Sequence, residues 1–192
     1  IRYMSETENQ LQILLCELAA YLYNKDMEIN VWDRIIAFEG RMHEFIKAAY
    51  DYQDNTFHSH PGYYIDYFEM RLAQLQVLHN LHYEIKKIRK MPKQALVIAD
   101  YIMYMADYVV EMNIPDQQIE KLEEISEQMK QEELPKTREE FEGRALLYHI
   151  LMDLEEFLVY KKRFVNGLDE KKLRIYWKQE MEQKDSANEL QK

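Results

Sequence analysis

Between residues 137 and 164 apolar side chains recur with the period of an α-helix, and a matching start signal precedes them. Leu147, Leu151, Leu154 and Leu158 repeat at alternating steps of four and three. Leu146, Ile150, Phe157, Tyr160 and Phe164 form a second stripe beside them. Two adjoining stripes make a wide apolar face, which needs other helices on two sides. Pro135 disfavours helix at Leu134. Thr137 then serves as the cap, and Glu140 reaches back to the cap's backbone amide. Glu139, Glu140 and Glu142 put negative charge where the helix dipole favours it. The segment reads as a packing spine without catalytic groups.

The rest of the chain follows the same rule. It holds only four Gly and four Pro in 192 residues, too few for a turn-rich β fold. A first helix is predicted from Ser5 or Thr7 to about Tyr23, with Leu11, Leu15, Leu18 and Leu22 as its seam. Asn30 caps a second, whose inner stripe is Val31, Ile35, Phe38, Met42, Phe45 and Ala49. Residues 51–62 form the longest predicted loop. A third helix starts near Tyr63 and stops before Pro92, with Phe68, Leu72, Leu75, Leu78, Leu81, Ile85 and Ile88 inward. A fourth follows Pro92 and runs to Asn113. Leu96, Ala99, Met103, Ala106 and Val110 trace one seam on it, and Ile98, Ile102, Met105, Val109 and Met112 a second. Tyr101, Tyr104 and Tyr108 line a third side, so this helix is expected to be buried. Residues 117–131 give a narrow, acidic, peripheral helix. Gly167 ends the spine helix in a left-handed cap, and a short basic helix covers 170–183. The expectation is an all-α up-and-down bundle of about four long core helices with one or two short peripheral ones. Residues 1–183 form a single domain, and 184–192 form a polar, disordered tail.

Charge and cysteine usage narrow the partners. The formal charge is -10, from 25 Lys+Arg against 35 Asp+Glu, which argues against nucleic-acid binding. The single Cys16 has no internal partner for a disulfide and reads as a small hydrophobe in a reducing compartment. The most apolar stretch, residues 95–110, is broken by Asp100 and Asp107, so no span of a bilayer is expected. The chain opens on Ile1 and not on Met, as a piece of a longer protein would, or equally a processed or tagged chain.

Reactive constellations are scarce. None of the six His has a Glu three residues before it, so the di-iron pattern of helix bundles is missing. His58 and His60 fall in the predicted loop, and no metal or other cofactor is expected. No Gly-x-Ser-x-Gly and no Gly-rich phosphate loop occurs. The fifteen Tyr are the unusual feature. Tyr101, Tyr104 and Tyr108 are candidates for an interface, although stripes at helical spacing are ordinarily core. Arg71 and Arg144 stand next to apolar residues and need carboxylates if buried, with Glu69, Asp100, Glu140 and Asp153 as candidates. Each arginine, with Tyr64, Tyr67 and Glu140, is a candidate for a structural ion pair or, more sharply, for an anionic ligand. Lys161, Lys162 and Arg163 together with Lys171, Lys172, Arg174 and Lys178 make a basic cluster. It could touch an anionic membrane surface, or be a solvated helix end or a subunit contact.

Two stretches carry a resemblance. Tyr63-Tyr64-Ile65-Asp66-Tyr67-Phe68-Glu69-Met70-Arg71-Leu72-Ala73-Gln74 and Leu134-Pro135-Lys136-Thr137-Arg138-Glu139-Glu140-Phe141-Glu142-Gly143-Arg144-Ala145, in this order, resemble the soluble C-terminal domain of the putative aromatic acid exporter family. Those are bacterial integral membrane proteins with a helical membrane part ahead of a helical cytoplasmic part. The resemblance covers about residues 3–164, and the basic last helix has no place in the pattern. It implies a non-catalytic accessory or regulatory domain on the cytoplasmic side of the cell membrane. Its implied partners are the preceding transmembrane part and copies of itself. A sensor of aromatic acids is the alternative, and a helical enzyme or metalloprotein a second one.

Overall fold

The structure is a computed structural model that describes residues 2–24, 30–55 and 61–177, without the side chains of Pro61 and Arg174. Among the described residues it is entirely helical. Four long helices, α1 (Arg2–Tyr23), α2 (Val31–Asp54), α3 (Pro61–Lys86) and α6 (Arg138–Asn166), are joined by three shorter ones, α4 (Ala95–Ala106), α5 (Asp116–Lys130) and α7 (Glu170–Tyr176). The expected all-α bundle is what forms.

Helix α3 is the hub, packing along α6 and α2 and also meeting α1. Helix α1 pairs with α4, while α5 bridges α4 and α6. The spine helix α6 therefore lies between α3 and α5, and its two stripes face them. Leu147, Ile150, Leu151, Leu154, Phe157, Leu158 and Phe164 are buried. On α2 the predicted inner stripe is the buried set, residue for residue. The cap of α6 gains one bond. Thr137 Oγ1 accepts from the Glu140 amide at 3.1 Å, and the Glu140 carboxylate accepts from the Lys136 amide at 2.7 Å while also facing the Thr137 amide. Those backbone N–H groups, Lys136 first, hold the Glu140 carboxyl below its ordinary value.

Several local expectations give way. Helix α1 begins at Arg2, and Thr7 lies in its buried face, donating to the Tyr3 carbonyl at 2.7 Å. Asn30 makes no capping bond to the backbone; its amide donates to Asp33 at 2.7 Å. Helix α2 continues through Asp54, which shortens the predicted loop, and residues 56–60 with His58 and His60 lie outside the described residues. Gly167 ends α6 in the right-handed region at φ -79, not in a left-handed cap. Helix α7 stops at Tyr176, and the rest of the predicted basic helix, Lys178 and the 184–192 tail lie outside the described residues.

Helix α4 departs furthest. It ends at Ala106, and of its first predicted seam only Ala99 and Ala106 are buried. Leu96, Met103 and Val110 are 49, 41 and 37% exposed. Of the second seam, Ile98, Ile102, Met105 and Val109 are buried and Met112 is half-buried. A helix that is apolar all round gives periodicity no direction. Covering by α1 and α5 decides which side is inside.

Candidate functional site

The most enclosed polar cluster lies between α1, α3 and α6. Arg71 is buried to 1% exposure. Its Nε donates to the Tyr67 hydroxyl at 3.1 Å and one terminal nitrogen donates to Gln74 Oε1 at 2.9 Å. The other terminal nitrogen is 3.5 Å from Glu8 Oε1 and has no hydrogen bond. Tyr67 donates to the same Glu8 oxygen at 2.8 Å, and Gln74 donates to the Phe157 carbonyl at 2.8 Å. The carboxylate that meets Arg71 is thus Glu8 on the first helix. It is none of Glu69, Asp100, Glu140 or Asp153. Glu69 accepts from Tyr50, and Asp100 accepts from the Tyr23 hydroxyl, which pushes that phenol up to about 12. Two of the three guanidinium nitrogens of Arg71 donate to protein atoms of the bundle and the third faces Glu8, which is the geometry of a packing element.

Arg144 stands elsewhere. It is half-buried, and its guanidinium donates to the Glu133 backbone carbonyl. With Glu140, Lys90 and Lys93 it lines a surface hollow of about 280 Å³ at the start of α6. Cations and carboxylates alternate there, because Glu132, Glu133 and Glu139 line it too. Arg71 and Arg144 therefore do not converge on one site. Tyr64 and Tyr67 also separate: Tyr67 faces Arg71, whereas Tyr64 lines an open aromatic hollow of about 360 Å³ with Tyr3, Phe45, Tyr52 and Phe68.

The tyrosine stripe on α4 splits three ways. Tyr101 is buried and donates to the Gln118 carbonyl at 2.6 Å; Tyr104 is half-buried; Tyr108 is 40% exposed. The stripe is thus in part a joint between α4 and α5.

The basic cluster is not a solvated patch throughout. Lys161 is 4% exposed, and its ammonium donates to the Val110 and Glu111 carbonyls at 2.8 and 2.6 Å. Lys162 pairs with Asp116 at 2.8 Å. Lys171 is exposed and Lys172 half-buried. Just past α7, Trp177 turns inward to 2% exposure; its indole N–H donates to the Tyr63 hydroxyl at 3.0 Å and its ring lies 5.6 Å from the Lys161 ammonium. Tyr63 in turn donates to Glu111 at 2.6 Å. Burial and the Glu111 bond raise its pKa far above that of an ordinary phenol. Tyr176 stacks on Tyr63 with ring centres 4.0 Å apart. Sequence reasoning missed Lys161 and Trp177 as interior residues. The only signal was the aromatic Tyr176-Trp177 pair inside a charged run.

No group of three or more His, Cys, Asp or Glu among the described residues could hold a metal ion. Glu39 pairs with His79 at 3.2 Å. The Cys16 thiol is half-buried and its pKa is raised, by burial first and then by Asp107 and Glu17, which lowers its nucleophilicity. Ser126 is turned onto the Leu122 carbonyl at 3.0 Å. Besides the Arg71 terminal nitrogen, Glu17 Oε2, His82 Nδ1 and Asp153 Oδ2 are buried without a hydrogen-bond partner among the described residues. Asp153 is pushed up to about 6 by burial and then by Glu84 and Glu156.

No helix among the described residues is long and apolar enough to cross a membrane. Comparison with known proteins places the fold. The crystal structure of a protein from Clostridium difficile 630, described as a putative membrane protein, superposes with a TM-score of 0.75 at 24% identity over 84% of this chain and 94% of that one. The uncharacterized protein YqjA of Bacillus subtilis (strain 168) is 26% identical over 166 residues, covering 85% of this chain and 51% of YqjA, so the chain spans about half the length of that relative. Residues 1–162 match the putative aromatic acid exporter C-terminal domain, and the chain belongs to that family.

Proposed function

We propose that the chain is a non-catalytic accessory domain of a membrane protein, placed on the cytoplasmic side and acting through helix packing and self-association. Its family is defined as the C-terminal domain of putative aromatic acid exporters, so a preceding membrane part is its natural first partner. The observation that carries the reading is the uncovered apolar face of α4. Leu96, Val97 and Met103, with Val110 just past the end of the helix, are all more than a third exposed, and Ile13 on the neighbouring α1 is 39% exposed. Grouped exposed apolar side chains favour association with another surface. A second copy meets this face, and on α7 the exposed Lys171, with the half-buried Lys172 beside it, is turned to an anionic lipid surface. Light scattering of the purified domain from micromolar to millimolar concentration tests the reading. A mass near twice 23.5 kDa is expected, with Met103→Glu returning it to the monomer. A strict monomer throughout refutes self-association.

The aromatic-acid sensor is the second reading. The open hollow of Tyr3, Phe45, Tyr52, Tyr64 and Phe68 favours it, since aromatic walls suit a ring. Arg71 is sealed inside the bundle and Arg144 lines a different hollow, so neither supplies the cation an acid needs. Calorimetric titration with benzoate decides: heat at millimolar ligand, lost in Tyr64→Ala, supports the sensor, and no heat removes it.

A further inference from the structure

Helix α7 and Trp177 lie beyond the residues that match the family, yet they cover a part of the bundle that lies within them. Tyr63, Tyr64, Glu111 and Lys161 all belong to the matched residues 1–162. They are held in place without α7. Lys161 is tied to the Val110 and Glu111 carbonyls, and Tyr63 is tied to the Glu111 carboxylate. Against this preformed wall the last described residues set two rings. Tyr176 lies flat on Tyr63, 9° from parallel at 4.0 Å, and meets Tyr64 edge-on at 5.7 Å. Trp177 directs its N–H at the Tyr63 oxygen and its face at the Lys161 ammonium.

We propose that this end of the bundle is a seat for a small planar ring bearing an N–H or O–H donor, and that Tyr176 and Trp177 occupy it as a displaceable internal ligand. The inference goes beyond the accessory role and does not depend on it. Three features define the chemistry of the seat. The Tyr63 oxygen gives its hydrogen to Glu111 and keeps a lone pair for an incoming donor. The Lys161 ammonium is anchored by the Val110 and Glu111 carbonyls and stands over the ring face of the occupant, where a cation favours a π surface. Tyr63 and Tyr64 supply a stacking floor and an edge. The occupant is weakly tethered. Seven residues of helix are short of the length that is stable alone, and among the described residues the apolar side chains that join it to the core are Leu168, Leu173, Tyr176 and Trp177. Opening the seat needs this strap to lift and leaves the long helices in place.

The two tryptophans make the strap observable in the whole chain. Trp32 is 44% exposed and Trp177 is 2% exposed, so 5-fluorotryptophan gives two separable fluorine signals, assigned with Trp177→Phe. Titration with indole is expected to move the buried signal to an exposed position while Trp32 and the helical circular dichroism stay unchanged. N-methylindole, which lacks the donor, should act about tenfold more weakly, in line with a lost hydrogen bond of roughly 1.4 kcal/mol. No displacement, or equal displacement by both compounds, overturns the proposal. In a second arm, folded Trp177→Ala should bind indole more tightly than the parent does, because the closed fraction no longer competes. Failure of that variant to bind while folded also overturns it. If the variant does not fold, the fluorine titration alone decides.

Discussion

Arg71 and Glu8 allow a test in which the order of two effects matters more than either size. The guanidinium is 1% exposed, whereas the Glu8 side chain is 17% exposed and can be reached by water. Removing one partner of a buried ion pair ordinarily costs about 3–5 kcal/mol, because the other charge is left without compensation. The penalty should therefore depend on which partner stays behind. Glu8→Ala strands a fully enclosed cation that has only Tyr67 and Gln74 as neutral acceptors, and should cost about 4 kcal/mol. Arg71→Met strands a carboxylate that still accepts from Tyr67 at 2.8 Å and meets some solvent, and should cost about 2–3 kcal/mol. The double variant leaves no charge and should be less destabilised than the sum by about 1–3 kcal/mol. Urea denaturation followed by circular dichroism gives each value from the midpoint and slope. Melting should fall by roughly 2–4 °C for each kcal/mol in a chain of this size. If Arg71→Met proves more harmful than Glu8→Ala, or if the two losses simply add, the cluster is not the asymmetric pair described above.

Glycine offers an opposed pair of outcomes. A Cβ at Gly40 in α2 meets nothing within 4 Å, so Gly40→Ala should stabilise by about 0.5–1 kcal/mol through helix propensity. A Cβ at Gly143 would stand 3.0 Å from Pro92 Cγ and 3.4 Å from the Lys90 carbonyl, so Gly143→Ala should lower the melting temperature despite the same propensity gain. Asp153 predicts a pH effect. Its folded pKa of about 6 exceeds the ordinary 3.8, so the folded state holds this proton longer than the unfolded state does. Stability from this group is therefore present below pH 3.8 and falls as pH rises to about 6. Asp153→Asn should raise the melting temperature at pH 7.5 and leave it unchanged near pH 3.5; an equal shift at both pH values contradicts the assignment. Thr137→Ala should cost about 1 kcal/mol in the melt by removing the acceptor for the Glu140 amide.

What could be read in advance follows the direction of the physical signal. The stripe of α2 was legible because polar residues separate its apolar ones, so one face alone could be inside. The spine helix was legible for the same reason, and its capping residues fixed its start at Thr137. On α4 almost every residue is apolar, and the inside was set by α5 and by α1, the latter more than seventy residues distant. Arg71 announced that it needed a carboxylate, but spacing says nothing about a partner on another helix, and Glu8 was overlooked. Lys161 sits in a Lys-Lys-Arg run that reads as solvent-facing. Only the approach of the Val110 and Glu111 carbonyls turns it inward. Of the residues singled out for a ligand, Arg71 with Tyr67, Arg144 with Glu140, and Tyr64 fell into three different places, since pocket membership depends on helix order.

The pairing of α1 with α4 and of α3 with α6 has a consequence during synthesis. When α1 leaves the ribosome, the surface that covers Leu11, Leu15 and Leu18 has yet to be made, and α3 waits in the same way for Phe157 and Leu158. Translation at about 5–20 residues per second leaves these oily flanks bare for several seconds. A nascent chain halted before the spine helix is complete would present sticky surface without a core, a natural substrate for holding chaperones.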